Sequence, residues 1–448
     1  MSAPIHLPNS RLGFHYHDDT VHYRAADLQV WLPELRALGA GWLTLPASLQ
    51  RAVPEPFIAG LLGAGIQPVI HIQGHPIQPL DLAALRPLLE TYARWGVSYV
   101  SIFDQPNLRD SWTPADWSRP GLLERFLDIF VPVAQAQVAA GLEPVFPGLQ
   151  PGGDYWDTSF LEGVLDRLIA IGLRDLAASL TYAFYAWAYN RPPDWGSGGP
   201  RRWSDARPYL TPPDSQDNRG FHNFDWVSAV VREKLGAARP LLCLAGGAVP
   251  GDLTDPTLPP VNAERHLACN AAIASEAFSG ELPDEVLNIN FWLLTANEAS
   301  LARYQAWYRT GESPLPVVNE VKHLARIHGR TTEAVTTGPR RLEKAIHHYV
   351  LLPVFEWGVS NWHLEAAKDY IRAFRPAVGF SVMEAAQASH VTIIGNEQAV
   401  GEGEVRTLQQ QGCKVERITG PNGDAILHQL AELVRTGKPF KNGAPREA

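Results

Sequence analysis

Only three cysteines occur in 448 residues, Cys243, Cys269 and Cys413, far apart and with neither a CxxC pair nor metal-ligand spacing. They are expected to be buried free thiols rather than a disulfide framework. No apolar run reaches the ~18–20 residues needed to cross a bilayer, so no membrane span is expected. The opening MSAPIHLPNSRLGFHYH lacks a basic region followed by an apolar core, so it does not read as a standard secretory leader, and the localisation stays open. Basic charge is in deficit: 38 Lys and Arg stand against 47 Asp and Glu, a net charge of −9. That balance leaves no electrostatic footprint for nucleic acid, and the short pairs Arg201–Arg202 and Arg340–Arg341 read as solvated loop charges. A GxSxG turn, a Walker loop and a GxGxxG fingerprint are all missing, which removes the usual serine hydrolases and nucleotide cofactors; no cofactor is expected.

What the chain does have is aromatic side chains in places where a core does not need them. There are 14 Trp, 13 Tyr and 15 His, and many lie in Pro/Gly-rich stretches: DSWTPADW, GGDYWDTSF, FYAWAYNRPPDWGSGGPRRW and FHNFDW. Exposed rings offer flat apolar faces that suit the C–H faces of sugars, although such rings also pack loops onto a scaffold.

Short apolar runs recur at 12–17, 41–47, 67–74, 98–104, 143–149, 176–185, 240–248 and 286–294, with amphipathic helical patterns such as DLAALRPLLETYARWG between most of them. Eight strands separated by helices is the count of a (β/α)8 TIM barrel, assigned here to residues 1–325. The longest irregular segments follow strands six and seven, where barrel chemistry resides. Residues 312–341 read as a connector. Residues 326–448 then alternate strand and helix as a smaller parallel α/β domain, ending in a frayed tail, KPFKNGAPREA.

The barrel resembles the large superfamily of retaining glycosidases built on TIM barrels, in which strand four ends in Asn-Glu-Pro and strand seven in Glu. Here strand four ends Asp104-Gln105-Pro106-Asn107, and strand seven is CLAGGA with Ala245 at the nucleophile position. FYAW (184–187) resembles the strand-six aromatic motif, with Tyr185 retained and Ala183 where His is common; Trp292 matches the aromatic floor under the sugar. An amide cannot act as a carboxylic acid, and alanine cannot attack an anomeric carbon. The resemblance therefore implies a carbohydrate-recognition protein, a pseudoenzyme, with Tyr185, Trp187, Trp292 and Trp156 stacking on sugar and Gln105, Asn107, His15, His17 and Asp104 as further contacts. Strand alternation is expected to turn Asp104 away from the direction of Gln105.

Two other readings stay open. An active glycoside hydrolase could use Asp18 or Asp19, which follow strand one, with Asp154 after strand five. Alternatively, the barrel is a scaffold whose aromatic loops pack on a protein partner. His15 and His17, at i and i+2, could face one side of a strand and hold a metal with His71 or His75, but polar residues of the barrel mouth account for them as well, and no metal is assigned. SHVTIIGNEQAVGEGEVRTLQQQGCKVERITG is similar to the type-2 cell-wall-binding repeat at Val391, Ile393, Ile394, Gly395, Val415, Arg417, Ile418 and Gly420, which implies a cell-wall or polysaccharide partner at a bacterial surface. A single copy is also compatible with a purely structural module.

Overall fold

The computed structural model describes residues 10–335, 344, 346–355, 358–359, 361–397, 400–420 and 423–440. The first nine residues and 441–448, where a leader and a frayed tail were sought, lie outside the described residues, as does much of the 312–341 connector beyond 335. The chain forms two compact units, Met1–Thr336 and Thr337–Ala448. No helix among the described residues is long and apolar enough to cross a membrane.

The first unit is a parallel α/β barrel of β1 (Leu12–His15), β2 (Trp42–Ala47), β3 (Gln67–Ile72), β4 (Tyr99–Ile102), β5 (Val145–Phe146), β6 (Thr181–Trp187), β7 (Leu241–Gly247) and β8 (Val286–Phe291). β1 pairs with both β2 and β8, and the ladder runs β4-β3-β2-β1-β8-β7-β6-β5. Between β4 and β5 only a single bridge, Tyr99 to Glu143, completes the ring. The run at 176–185 does not become a strand throughout: a helix occupies Arg174–Ser179, and β6 starts at Thr181.

Two layers of burial hold the barrel. Trp42, Val69, Tyr99, Val145, Ala183, Tyr185, Leu242, Leu244 and Ala245 recur at strand spacing and fill its interior. A larger apolar cluster seals the strands against the helices. Gly13 sits where β1 passes between β2 and β8; a Cβ there would press on Asn290 Oδ1 and lie 2.6 Å from Trp42 Cβ, so the closing seam tolerates no side chain. On the other side of β8 the register against β7 shifts, and Asn288 repairs the broken ladder by accepting from Cys243 N and donating to its carbonyl, both at 2.9 Å.

The segment read as a connector is in fact the barrel's last helix, Pro316–Val335. Val317, Val318 and Val321 are buried, and Lys322 pairs with Glu34, which anchors the helix to the barrel. Its apolar residues fall at helical spacing, but the long polar face between them reads as loop. The three cysteines are free and buried.

The second unit is a four-stranded parallel sheet in the order Ala377–Gly379, Ile346–Leu351, Ala388–Ile394, Lys414–Ile418. Helices Asn361–Phe374, Glu402–Gln410 and Gly423–Arg435 accompany it. Arg417 donates to the carbonyls of Gly395, Asn396 and Val400, so its guanidinium ties down the loop that follows Ile394.

Candidate functional site

The strand ends of the barrel open into a cavity of about 400 Å³, within the size range of small-molecule sites. Its walls come from seven strand exits, all but that of β2, and each side chain is placed by what the backbone does there.

β4 stops at Ile102, after which Phe103 (φ 71°) and Gln105 (φ 47°) adopt left-handed backbone. This breaks the strand alternation, so Asp104 and Gln105 both line the cavity instead of diverging as expected. Gln105 N donates to Gly148 O at 3.0 Å, and its Nε2 donates to Gln150 Oε1 at 3.0 Å. Gln150 Nε2 in turn donates to the Tyr189 hydroxyl at 2.9 Å. Asp104 Oδ1 accepts from the Tyr185 hydroxyl at 2.5 Å and lies 3.7 Å from His71 Nε2.

Across the mouth, Tyr185 stands opposite Ala245 in the β6–β7 register, and Ala245 contributes to the cavity floor. The Tyr185 and Trp187 rings stack at 5.6 Å with a 6° angle, and Trp187 meets Trp292 edge-on at 6.2 Å. His15 closes the row 4.7 Å from Trp292. Trp292 is held by its ring N–H, which donates to Gln305 Oε1 at 2.7 Å. The result is a continuous aromatic wall faced by four amide side chains, Gln73, Gln105, Gln150 and Gln305.

Among the described residues the cavity lining holds two carboxylates, Asp104 and Asp252. Burial, and then the charge of His71, hold His15 well below the ordinary histidine range, so its imidazole is neutral at neutral pH. Burial, and then the Asp104 charge, raise the Tyr185 phenol well above its ordinary value, so it remains a hydroxyl donor. The cavity therefore sets neutral donors and acceptors, together with the carboxylates of Asp104 and Asp252, against apolar ring faces.

His15, Asp104, Gln105, Tyr185, Trp187 and Trp292 meet in this cavity. Asn107, Trp156 and His17 do not line it. Asn107 is fully buried and clamps the β4 exit to the β5 exit: its Nδ2 donates to the Gln150 and Tyr155 carbonyls, and its Oδ1 accepts from Gln150 N, all at 2.9 Å. Trp156 packs on Tyr209 beneath the Arg219 guanidinium. β1 ends at His15, so alternation does not carry to His17, which lies beside Asp18 and Asp19. The metal grouping of His15 and His17 with His71 or His75 is not formed; His75 Nδ1 contacts the Pro76 carbonyl instead. Asp18, Asp19 and Asp154 are also outside the cavity lining, and Asp154 accepts from Arg109 N at 2.8 Å.

Residues the sequence reading passed over are Gln73, Gln150, Tyr189, Asp252 and Gln305. Gln73 had a usable signal, lying just past the end of β3. The others reach the cavity through loop geometry.

No protein-family model matches the chain, and neither does any curated protein. Among solved structures, the chain is similar to a family 39 glycoside hydrolase from Bacteroides cellulosilyticus WH2, with 11% identity over 70% of this chain and 64% of that one and a TM-score of 0.46. It is similar to a monomeric β-xylosidase from Caulobacter crescentus CB15, with 14% identity over 72% and 69% of the two chains and a TM-score of 0.42. A GH128 endo-β-1,3-glucanase from Sorangium cellulosum gives 12% identity over 70% and 97% and a TM-score of 0.38. At these identities and scores the likeness adds nothing to the barrel already read from its strands, and no activity is taken from it.

Proposed function

We propose that the barrel unit binds a saccharide in its mouth cavity and lacks the two-carboxylate chemistry of the retaining glycosidases it resembles in sequence. The observation that carries this reading is the make-up of the cavity: four amides face a wall of Tyr185, Trp187 and Trp292, while Gln105 and Ala245 occupy the two positions where carboxyls are expected. Each sugar hydroxyl both donates and accepts, as an amide does, and the ring C–H face matches an indole. The partner on this reading is a polysaccharide or cell-wall glycan. The second unit's likeness to a cell-wall-binding repeat would add an anchor to the same class of polymer.

A second reading is favoured by Asp104 and Asp252. A glycoside hydrolase working through this pair would need them ~5–5.5 Å apart to retain configuration or ~6.5–9.5 Å apart to invert it. One experiment separates the two. A glycan array identifies the ligand, calorimetry measures its affinity, and a reducing-end assay follows the same glycan over days. Binding without product supports recognition alone. Product formation that disappears in both Asp104→Asn and Asp252→Asn establishes the hydrolase instead. Absence of binding to every glycan on the array refutes both.

A further inference from the structure

Away from the mouth cavity, the loop leaving β1 gathers His17, Asp18, Asp19 and His22. The ligand atoms of His17, Asp19 and His22 all lie within 4.8 Å of one another. The two imidazoles stack in parallel, 3.9 Å apart with a 13° angle, and both turn Nδ1 toward Asp19: the distance is 2.8 Å from His22 to Oδ1 and 3.4 Å from His17 to Oδ2. Asp18 Oδ1 stands 3.0 Å from His17 Nδ1.

A hydrogen-bonded cluster alone would explain His22, but it does not explain His17. This residue is 4% exposed, and its buried Nδ1 has no well-formed hydrogen bond although carboxylate oxygens of Asp18 and Asp19 stand 3.0 and 3.4 Å away. A buried ring nitrogen aimed into a carboxylate pair without a shared proton is poorly satisfied, and a cation between the three groups would satisfy it.

The carboxylates are already oriented by other donors. Asp18 Oδ1 accepts from Asn297 N at 3.1 Å, and Asp19 Oδ1 accepts from Val21 N at 3.0 Å. Supporting hydrogen bonds of this kind hold metal ligands in place.

We propose that His17 Nδ1, His22 Nδ1 and the carboxylates of Asp19 and Asp18 form a binding site for one divalent transition metal of the zinc class. Two imidazole nitrogens and the Asp19 carboxylate, with Asp18 beside His17 as a fourth donor, make a donor set suited to Zn²⁺, and the 2.8 and 3.4 Å separations of the two nitrogens from Asp19 suit bonds of ~2.0–2.2 Å to a shared ion. The mixed N/O set argues against Ca²⁺ and Mg²⁺, which take oxygen ligands. The site lies where Asn297, beyond β8, meets the loop leaving β1, across the seam that closes the barrel. A metal there would staple that seam and is independent of what the mouth cavity binds.

The test uses the full-length protein dialysed against a chelator and titrated calorimetrically with ZnCl₂. The expected result is one equivalent bound, with affinity falling at least about tenfold in both His22→Gln and Asp19→Asn, and unchanged in His75→Gln, which alters a histidine after β3. Zinc bound equally by all four proteins, or by none, overturns the proposal. Cobalt(II) titration of the unaltered protein provides a reading that needs no variant to fold. An intense tetrahedral visible spectrum supports the site, and a weak octahedral one overturns it.

Discussion

Asn107→Ala separates a clamp from a ligand contact. Position 107 follows the strand-four motif closely enough to be read as a sugar contact, yet its side chain is fully buried and makes three hydrogen bonds within the protein. Alanine removes all three and strands two carbonyls and one N–H. At ~1 kcal/mol net for each bond, and up to ~3 for a group that stays dry, the loss is about 3–5 kcal/mol, with the open cavity nearby favouring the lower end. Urea unfolding followed by tryptophan fluorescence measures it. Every tryptophan except Trp357 and Trp362 precedes residue 337, so the signal reports mainly on the barrel unit. Glycan affinity is expected to fall in step, because Gln150, which the clamp positions, holds Gln105. An unfolding midpoint unchanged from the parent protein, together with lost glycan affinity, would refute the clamp and return Asn107 to the ligand surface.

Three further outcomes are expected. Trp292→Ala and Trp187→Ala should each weaken glycan binding about tenfold by calorimetry, from roughly 50 Å² of ring face at ~25 cal/mol per Å²; unchanged affinity in both would move the ligand elsewhere. Asp157 is buried beneath Asn218, Asn223 and Gly152 N, and burial raises its carboxyl from the ordinary 3.8 to about 6 despite those donors. The native state therefore holds a proton that the unfolded chain releases, so stability should fall by about 3 kcal/mol as pH rises from ~4 to ~6, a slope that Asp157→Asn should abolish in pH-dependent urea melts. Asp217 shows the opposite sign: burial alone would raise it, but Arg219, Thr211 and Arg191 hold it down at about 2. Its contribution should be complete above pH ~4 and be lost as pH falls toward ~2. Asp217→Asn leaves the buried Arg191 short of a partner and should cost about 3 kcal/mol at pH 7 by the same melts.

The eight strands were legible because a strand buried on both faces must be an apolar run, and a helix between two of them must be amphipathic. Tyr185, Trp187 and Trp292 were legible as residues of the barrel mouth because they stand at the exits of β6 and β8, and they line the cavity there. Direction was harder to read than position. Two left-handed residues at the β4 exit turn Asp104 and Gln105 into one cavity, and nothing about Phe103 announces a positive φ. β1 ends two residues before His17, so a period-two argument placed that side chain with His15 when it belongs to the next loop. Gln150 and Gln305 were invisible for a different reason. Their value lies in bonds to Gln105 and Trp292, partners on other strand exits that only the closed barrel brings near.

The same cavity geometry gives the two missing carboxyls their weight. Gln105 and Ala245 come from different strands, yet they line one cavity and are joined through a short path: Ala245 lies opposite Tyr185, and Tyr185 donates to Asp104, the neighbour of Gln105. A lone amide at 105 could be a chance feature of one loop. Neither an amide nor an alanine can serve as proton donor or nucleophile at those positions, so on the proposed reading both roles are lost together. On that reading they also remove negative charge at those two positions, where an oxocarbenium-like transition state would draw on it, and leave Asp104 and Asp252 as the carboxylates of the cavity. The aromatic wall and the amides, by contrast, touch a sugar equally well before and during any reaction. Interactions of that kind strengthen binding without lowering the barrier that follows it. On the proposed reading, this barrel keeps the surfaces that recognise the ground state and lacks those that distinguish the transition state from it, so a glycan should leave the cavity with its bonds intact.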